Sequence, residues 1–113
     1  MSFQHKKLAA GHWQNLSFIE QMANIGSEIE RAIFWRKKKN KDYSRKALER
    51  AIELLFLTIA DSKNKDRLKE LTRLHEAIVD YFFDKNTFSS SDELWHKYFY
   101  PFNYAARLIY FKM

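Results

Sequence analysis

Glu93 and His96 have the Glu-x-x-His spacing that sets a carboxylate and an imidazole on one helix face. Bundles with a carboxylate-bridged di-metal centre need two such pairs and two more inward glutamates. Here a second pair does not form, because Thr72 stands at the matching position before His75. His5 and His12 belong to the N-terminus, and His75 falls on an apolar stripe, where a hydrogen-bonded core histidine is the ordinary outcome. Cysteine is absent, which excludes thiol nucleophiles, Cys-ligated zinc, iron–sulfur clusters and disulfides together. Gly11 and Gly26 are isolated, so there is no glycine-rich phosphate loop. Ser17 and Ser90 sit where helix caps belong, not beside a general base. No catalytic residue, metal or cofactor is expected, and the chain reads as non-enzymatic.

One polar group remains. Asn24, Ser27, Glu28 and Arg31 surround Gly26, and a glycine inside a helix costs about 1 kcal/mol relative to alanine. Close approach of another helix is the expected compensation. A ligand reaching the backbone beside Asn24, Glu28 and Arg31 is the sharper alternative, and the only small-molecule pocket foreseen. A buried Glu28 would need Arg31, Arg50 or Arg107 to neutralise it.

Charge is unevenly spread. The chain carries +6 overall, yet the stretch Arg31–Arg50 holds nine bases against two acids, so the remainder carries −1. Arg36, Lys37, Lys38, Lys39, Lys41, Arg45 and Lys46 form this corner, flanked by Trp35 and Tyr43. Such a corner can neutralise phosphates and stack an unpaired base. It can equally be a solvated turn whose lysines answer a helix dipole.

Aromatic weight lies at the other end, where 12 of the 19 aromatic residues follow from Tyr81 onward. A helix cannot point Tyr98, Phe99 and Tyr100 to one side. Some of Trp95, Tyr98, Phe99, Tyr100, Phe102 and Tyr104 must therefore face outward, and aromatics are enriched in interface cores. A closed homo-oligomer, or a pairing with another helical protein, is the partner these rings suggest.

Four helices must position these groups. Phe18, Met22, Ile25, Ile29 and Ile33 make one helical stripe, opened by a Ser17–Glu20 capping box and ending near Lys38. Asn40–Asp42 breaks the pattern before Leu48, Ile52, Leu55 and Ile59, a segment apolar nearly all round. After the polar stretch 62–66, Leu68, Leu71, His75, Ile78 and Phe82 line a third helix, with Lys69, Arg73, Glu76 and Asp80 on a solvated face. Ser90 with Glu93 reads as a second capping box, and Pro101 should kink the last helix or divide it. The fold class expected is all-α, an antiparallel up-and-down four-helix bundle kinked at Pro101.

A chain of 113 residues, 46% hydrophobic and 30% charged, with two glycines and one proline, suits one such domain and disfavours sandwiches and barrels. Residues 1–12 read as a flexible start. No apolar run approaches the roughly 20 residues a bilayer span requires, and a cysteine-free chain without a signal peptide fits the cytoplasm.

The stretches Trp13-Gln14-Asn15-Leu16, Glu20 through Glu28, Leu68-Lys69-Glu70-Leu71 and Asp80-Tyr81-Phe82 resemble a group of small prokaryotic helical proteins with no assigned activity. That resemblance spans Trp13 to Leu108 and implies a helical fold in a prokaryotic cytoplasm. HEPN domains offer a second comparison, but neither Arg67 nor Arg73 stands at the spacing from His75 that their ribonuclease motif uses. The function expected is a binding or assembly module that self-associates through its aromatic C-terminal segment. The alternative is nucleic-acid binding at the corner Arg31–Arg50.

Overall fold

A computed structural model describes residues 11–111. The expected flexible start thus falls largely on residues 1–10, outside the described residues. Four helices follow one another: α1 (Phe18–Lys37), α2 (Lys41–Ala60), α3 (Leu68–Phe83) and α4 (Asp92–Phe111). Short 3-10 helices at Trp13–Asn15 and Ser62–Arg67 precede α1 and join α2 to α3. No strand occurs among the described residues. Trp13 and Thr58 meet at one end of the bundle, and Arg36, Tyr81 and Asp92 at the other. The helices therefore alternate in direction, up and down.

α1 begins as its residues dictate. The Ser17 hydroxyl accepts from the Glu20 amide, and the Glu20 carboxylate accepts from the Ser17 amide. Met22, Ile25, Ile29 and Ile33 of its stripe are all buried, and α1 packs closely on both α2 and α4. Asn40 caps α2 by accepting from the Tyr43 amide. The buried line of α2 is Ala47, Leu48, Ala51, Leu54, Leu55 and Thr58, while Phe56 turns outward. The backbone of α3 stands further from its neighbours and reaches the core through Leu71, Leu74 and Ile78.

Gly26 sits against α4. A Cβ built there would lie 2.8–2.9 Å from the Phe99 side chain, including its Cβ, so the missing methyl is what lets α1 and α4 approach. Helix contact, not a ligand, compensates the glycine.

The polar stretch 62–66 is not an open break. Asn64 is buried and gives hydrogen bonds to the Gln21 side chain at 2.8 Å and the Thr58 carbonyl at 2.9 Å. Gln21 in turn donates to the Trp13 carbonyl and to Asp61, and the Trp13 indole donates to Thr58. Burial pushes the Asp61 carboxyl up, but hydrogen bonds from Lys63 and Gln21 outweigh it and hold the group below its usual range. This network ties the start of the chain, α1, α2 and the α2–α3 link together.

Two expectations about α4 change. Ser91, not Ser90, caps the helix by accepting from the Leu94 amide, because Ser90 gives its own amide to Asn86. No Ser90–Glu93 capping box forms. α4 also runs through Pro101 as one element, without division into two helices. Pro101 and Lys97 both face solvent, so the Lys97 carbonyl that loses its amide partner is open to water.

Candidate functional site

Each group of residues singled out above has a definite place in the bundle. Around Gly26, Glu28 is buried, while Asn24 is exposed and spends its amide on the Glu20 carbonyl. The Glu28 carboxylate is held by Arg31 from its own helix and by Arg50 of α2 at 2.5 Å. Asn24 does not join them, so Glu28 with Arg31 and Arg50 is an ion triad that links α1 to α2. Each of its two carboxylate oxygens is engaged by an arginine of the same chain.

The basic corner is partly consumed as well. Arg36 binds Asp92 and donates to the Tyr81 hydroxyl at 3.0 Å, and its guanidinium lies over the Tyr81 and Phe82 rings. Lys37 approaches the same Asp92 at 4.0 Å. Burial, followed by the hydrogen bond it gives Asp92, raises the Tyr81 hydroxyl above its ordinary pKa, with Arg36 opposing. Lys38 lies over Phe34 and Lys46 over Tyr43. Lys39 takes a positive φ of 62° at the turn, and Lys41 and Arg45 are exposed. Trp35 and Tyr43 pack edge to face, 4.9 Å between centroids, and with Lys46 and Arg50 line a small slot of about 290 Å³.

The aromatic residues of α4 divide by helical phase. Trp95 and Phe99 are buried and stack in the core, which takes both off the outer face of the helix where an interface was expected. Tyr98 and Phe102 are half-buried against that core. The opposite face presents Leu94, Tyr100, Tyr104 and Leu108, between 42% and 65% exposed, together with Pro101. Leu94, Lys97, Pro101, Tyr104 and Leu108 follow steps of three and four, the seam of a helix that has a helical partner. Tyr100 and Tyr104 stack along it, 6.2 Å apart. The seam is legible in the sequence once the inward phase of Trp95 and Phe99 is known. Leu94 and Leu108 lie outside the interface expected from the rings alone, because neither is aromatic.

A further cleft is lined by residues whose spacing in the sequence carries no signal of it. It opens between α3 and α4 with a volume of about 910 Å³. Its α3 wall carries Lys69, Glu70 and Arg73 toward one end, continued by Asp66 of the 3-10 link, and Leu74 and Ala77 toward the other. Trp95 and Tyr98 form the α4 wall. The Tyr98 hydroxyl reaches Glu70 at 3.4 Å, and burial, with the Glu70 charge, pushes its pKa up to about 12. Charged residues at these α3 positions read as an ordinary solvated face, and nothing in their spacing announces a cavity.

His96 pairs with Glu30 at 2.6 Å on the surface, and His75 is half-buried beside the Phe56 ring. Among the described residues no group of three or more histidines and carboxylates could hold a metal ion. None of the described helices is long and apolar enough to cross a membrane. No family model, no curated protein and no solved structure matches the chain, so function must be argued from its own surfaces.

Proposed function

We propose that this protein is a non-enzymatic assembly module that pairs with a second copy of itself through the outer face of α4. The observation that carries the reading is the apolar seam Leu94–Pro101–Tyr104–Leu108, exposed along the side of α4 that turns away from the core. Scattered exposed leucines need no explanation, but a stripe at heptad spacing that is apolar at every position except Lys97 does. Charge supports a like partner in antiparallel orientation. With Pro101 opposite its counterpart, Leu94 of one copy meets Leu108 of the other. Glu93, which pairs with Lys97 of its own helix at 3.4 Å, then lies within two residues of the level of Arg107 on the same flank of the seam, and both are exposed. The cytoplasm, which the cysteine-free composition suits, is the compartment in which this pairing is proposed.

Sedimentation velocity across a concentration series tests it. The wild-type chain should gain mass with concentration, Leu108→Asp should remain monomeric, and Glu93→Arg combined with Arg107→Glu should associate better than either reversal alone. A wild-type monomer at every concentration refutes the reading.

A second reading has one specific observation behind it. The Trp35–Tyr43 slot, rimmed by Lys46 and Arg50, is the right kind of surface to stack an unpaired base beside a neutralised phosphate. The commitment of Arg36 to Asp92 and of Arg50 to Glu28 weakens it. It requires salt-sensitive binding to single-stranded RNA or DNA that falls when Lys37, Lys38 and Lys39 become glutamate. Absence of binding at low salt removes it.

A further inference from the structure

The cleft between α3 and α4 differs in kind from the rest of the surface. Its volume of about 910 Å³ lies at the upper end of the range that small-molecule sites occupy. It is also polarised along its length. Leu74, Ala77 and the Trp95 side chain make an apolar end, while Lys63, Arg67, Lys69 and Arg73 gather at the other with only Asp66 and Glu70 to offset them.

Two of the four bases are already engaged. Lys63 binds Asp61, and Arg67 lies 4.2 Å from the Phe18 ring and 3.7 Å from Glu70. Lys69 and Arg73 make no hydrogen bond or ion pair among the described residues, and they stand one helical turn apart on the cleft side of α3. Trp95, 5% exposed, has an indole N–H with no acceptor among the described residues. A buried donor left unmet costs about 1–3 kcal/mol. Its nitrogen is itself buried, so Trp95 offers the cleft apolar ring surface and no donor.

We propose that this cleft binds a small amphipathic anion, its carboxylate or phosphate head on Lys69 and Arg73 and its apolar body along Leu74, Ala77 and Trp95. The backbone of α3 stands back from its neighbours, so the cleft can admit such a body without breaking closely packed helix contacts. The site is separate from the outer seam of α4, and its occupation does not require self-association.

Fluorescence titration of the full chain with anilinonaphthalene sulfonate, an aromatic anion that brightens in apolar surroundings, tests the site directly. Saturable binding is expected, displaced by decanoate but not by decanol, which lacks the charge. Arg73→Glu should weaken it by about tenfold or more, the loss of one charge-assisted contact. Ala77→Trp, which fills the apolar end, should weaken it to a similar degree. Lys85→Glu, the same charge change in the α3–α4 loop, should leave it unaltered. Should Ala77→Trp fail to fold, Lys69→Glu on the exposed rim takes its place. Absence of saturable binding, equal displacement by decanol, or full binding by Arg73→Glu overturns the proposal.

Discussion

Replacement of Gly26 by alanine should destabilise the protein, although alanine is the better helix former. The added Cβ would lie 2.8 Å from Phe99 Cδ1 and 2.9 Å from both Phe99 Cβ and Cγ. A ring can rotate, but Phe99 Cβ is fixed to the α4 backbone, so relief requires α1 and α4 to move apart. Overpacking of this kind costs about 1–3 kcal/mol. The helix preference of alanine returns about 1 kcal/mol. The net expectation is a loss of about 1 kcal/mol, seen as a fall in Tm of roughly 4 °C or more for a domain of this size. Ser27→Ala, at an exposed neighbouring position, supplies the control and should be neutral or slightly stabilising. Thermal unfolding followed by circular dichroism reads both variants. A Gly26→Ala protein as stable as the wild type would mean that α1 and α4 are not in this close contact.

Thr58→Val removes the acceptor of the buried Trp13 indole and should cost about 1–3 kcal/mol in a urea titration, with unchanged stability counting against the network. Arg50→Ala leaves Glu28 with only the largely exposed Arg31 and should cost about 1–3 kcal/mol, below the penalty for a wholly unpaired buried charge because Arg31 still holds one carboxylate oxygen. Asp61→Asn should flatten the acid limb of the stability profile. The folded state holds the Asp61 carboxyl below its ordinary pKa, so its contribution is present above about pH 4 and is lost as pH falls through the folded value. An acid limb with the same slope in both proteins would contradict that.

Helices α1 and α2 were legible because their buried residues follow a simple period and their caps are written in Ser17, Glu20 and Asn40. Gly26 was legible for a related reason, since a costly residue inside a good helix asks for a neighbour. The link from Ser62 to Arg67 was not. Hydropathy counts its polar residues as solvent-seeking, whereas Asn64 is buried once Gln21 and Thr58 supply its partners. Those partners lie 43 and 6 positions away, so only one of them is local. The rotational phase of α4 was hidden by its aromatic density, because rings occur on every side. The burial of Trp95 and Phe99, with Phe99 against Gly26, shows which side is core. The cleft was hidden for the opposite reason: its charged wall looks like any exposed helix face.

The carboxylate of Asp80 accepts from the amides of Thr87 and Phe88, while its carbonyl accepts from Asp84 and Asn86. One residue at the end of α3 thereby moulds the turn that launches α4. A tilt of α3 would carry these four hydrogen bonds, and with them the start of α4, along. Under the proposed pairing, a guest in the cleft would act on both helices at this shared turn and so change the angle at which the outer seam faces a second copy.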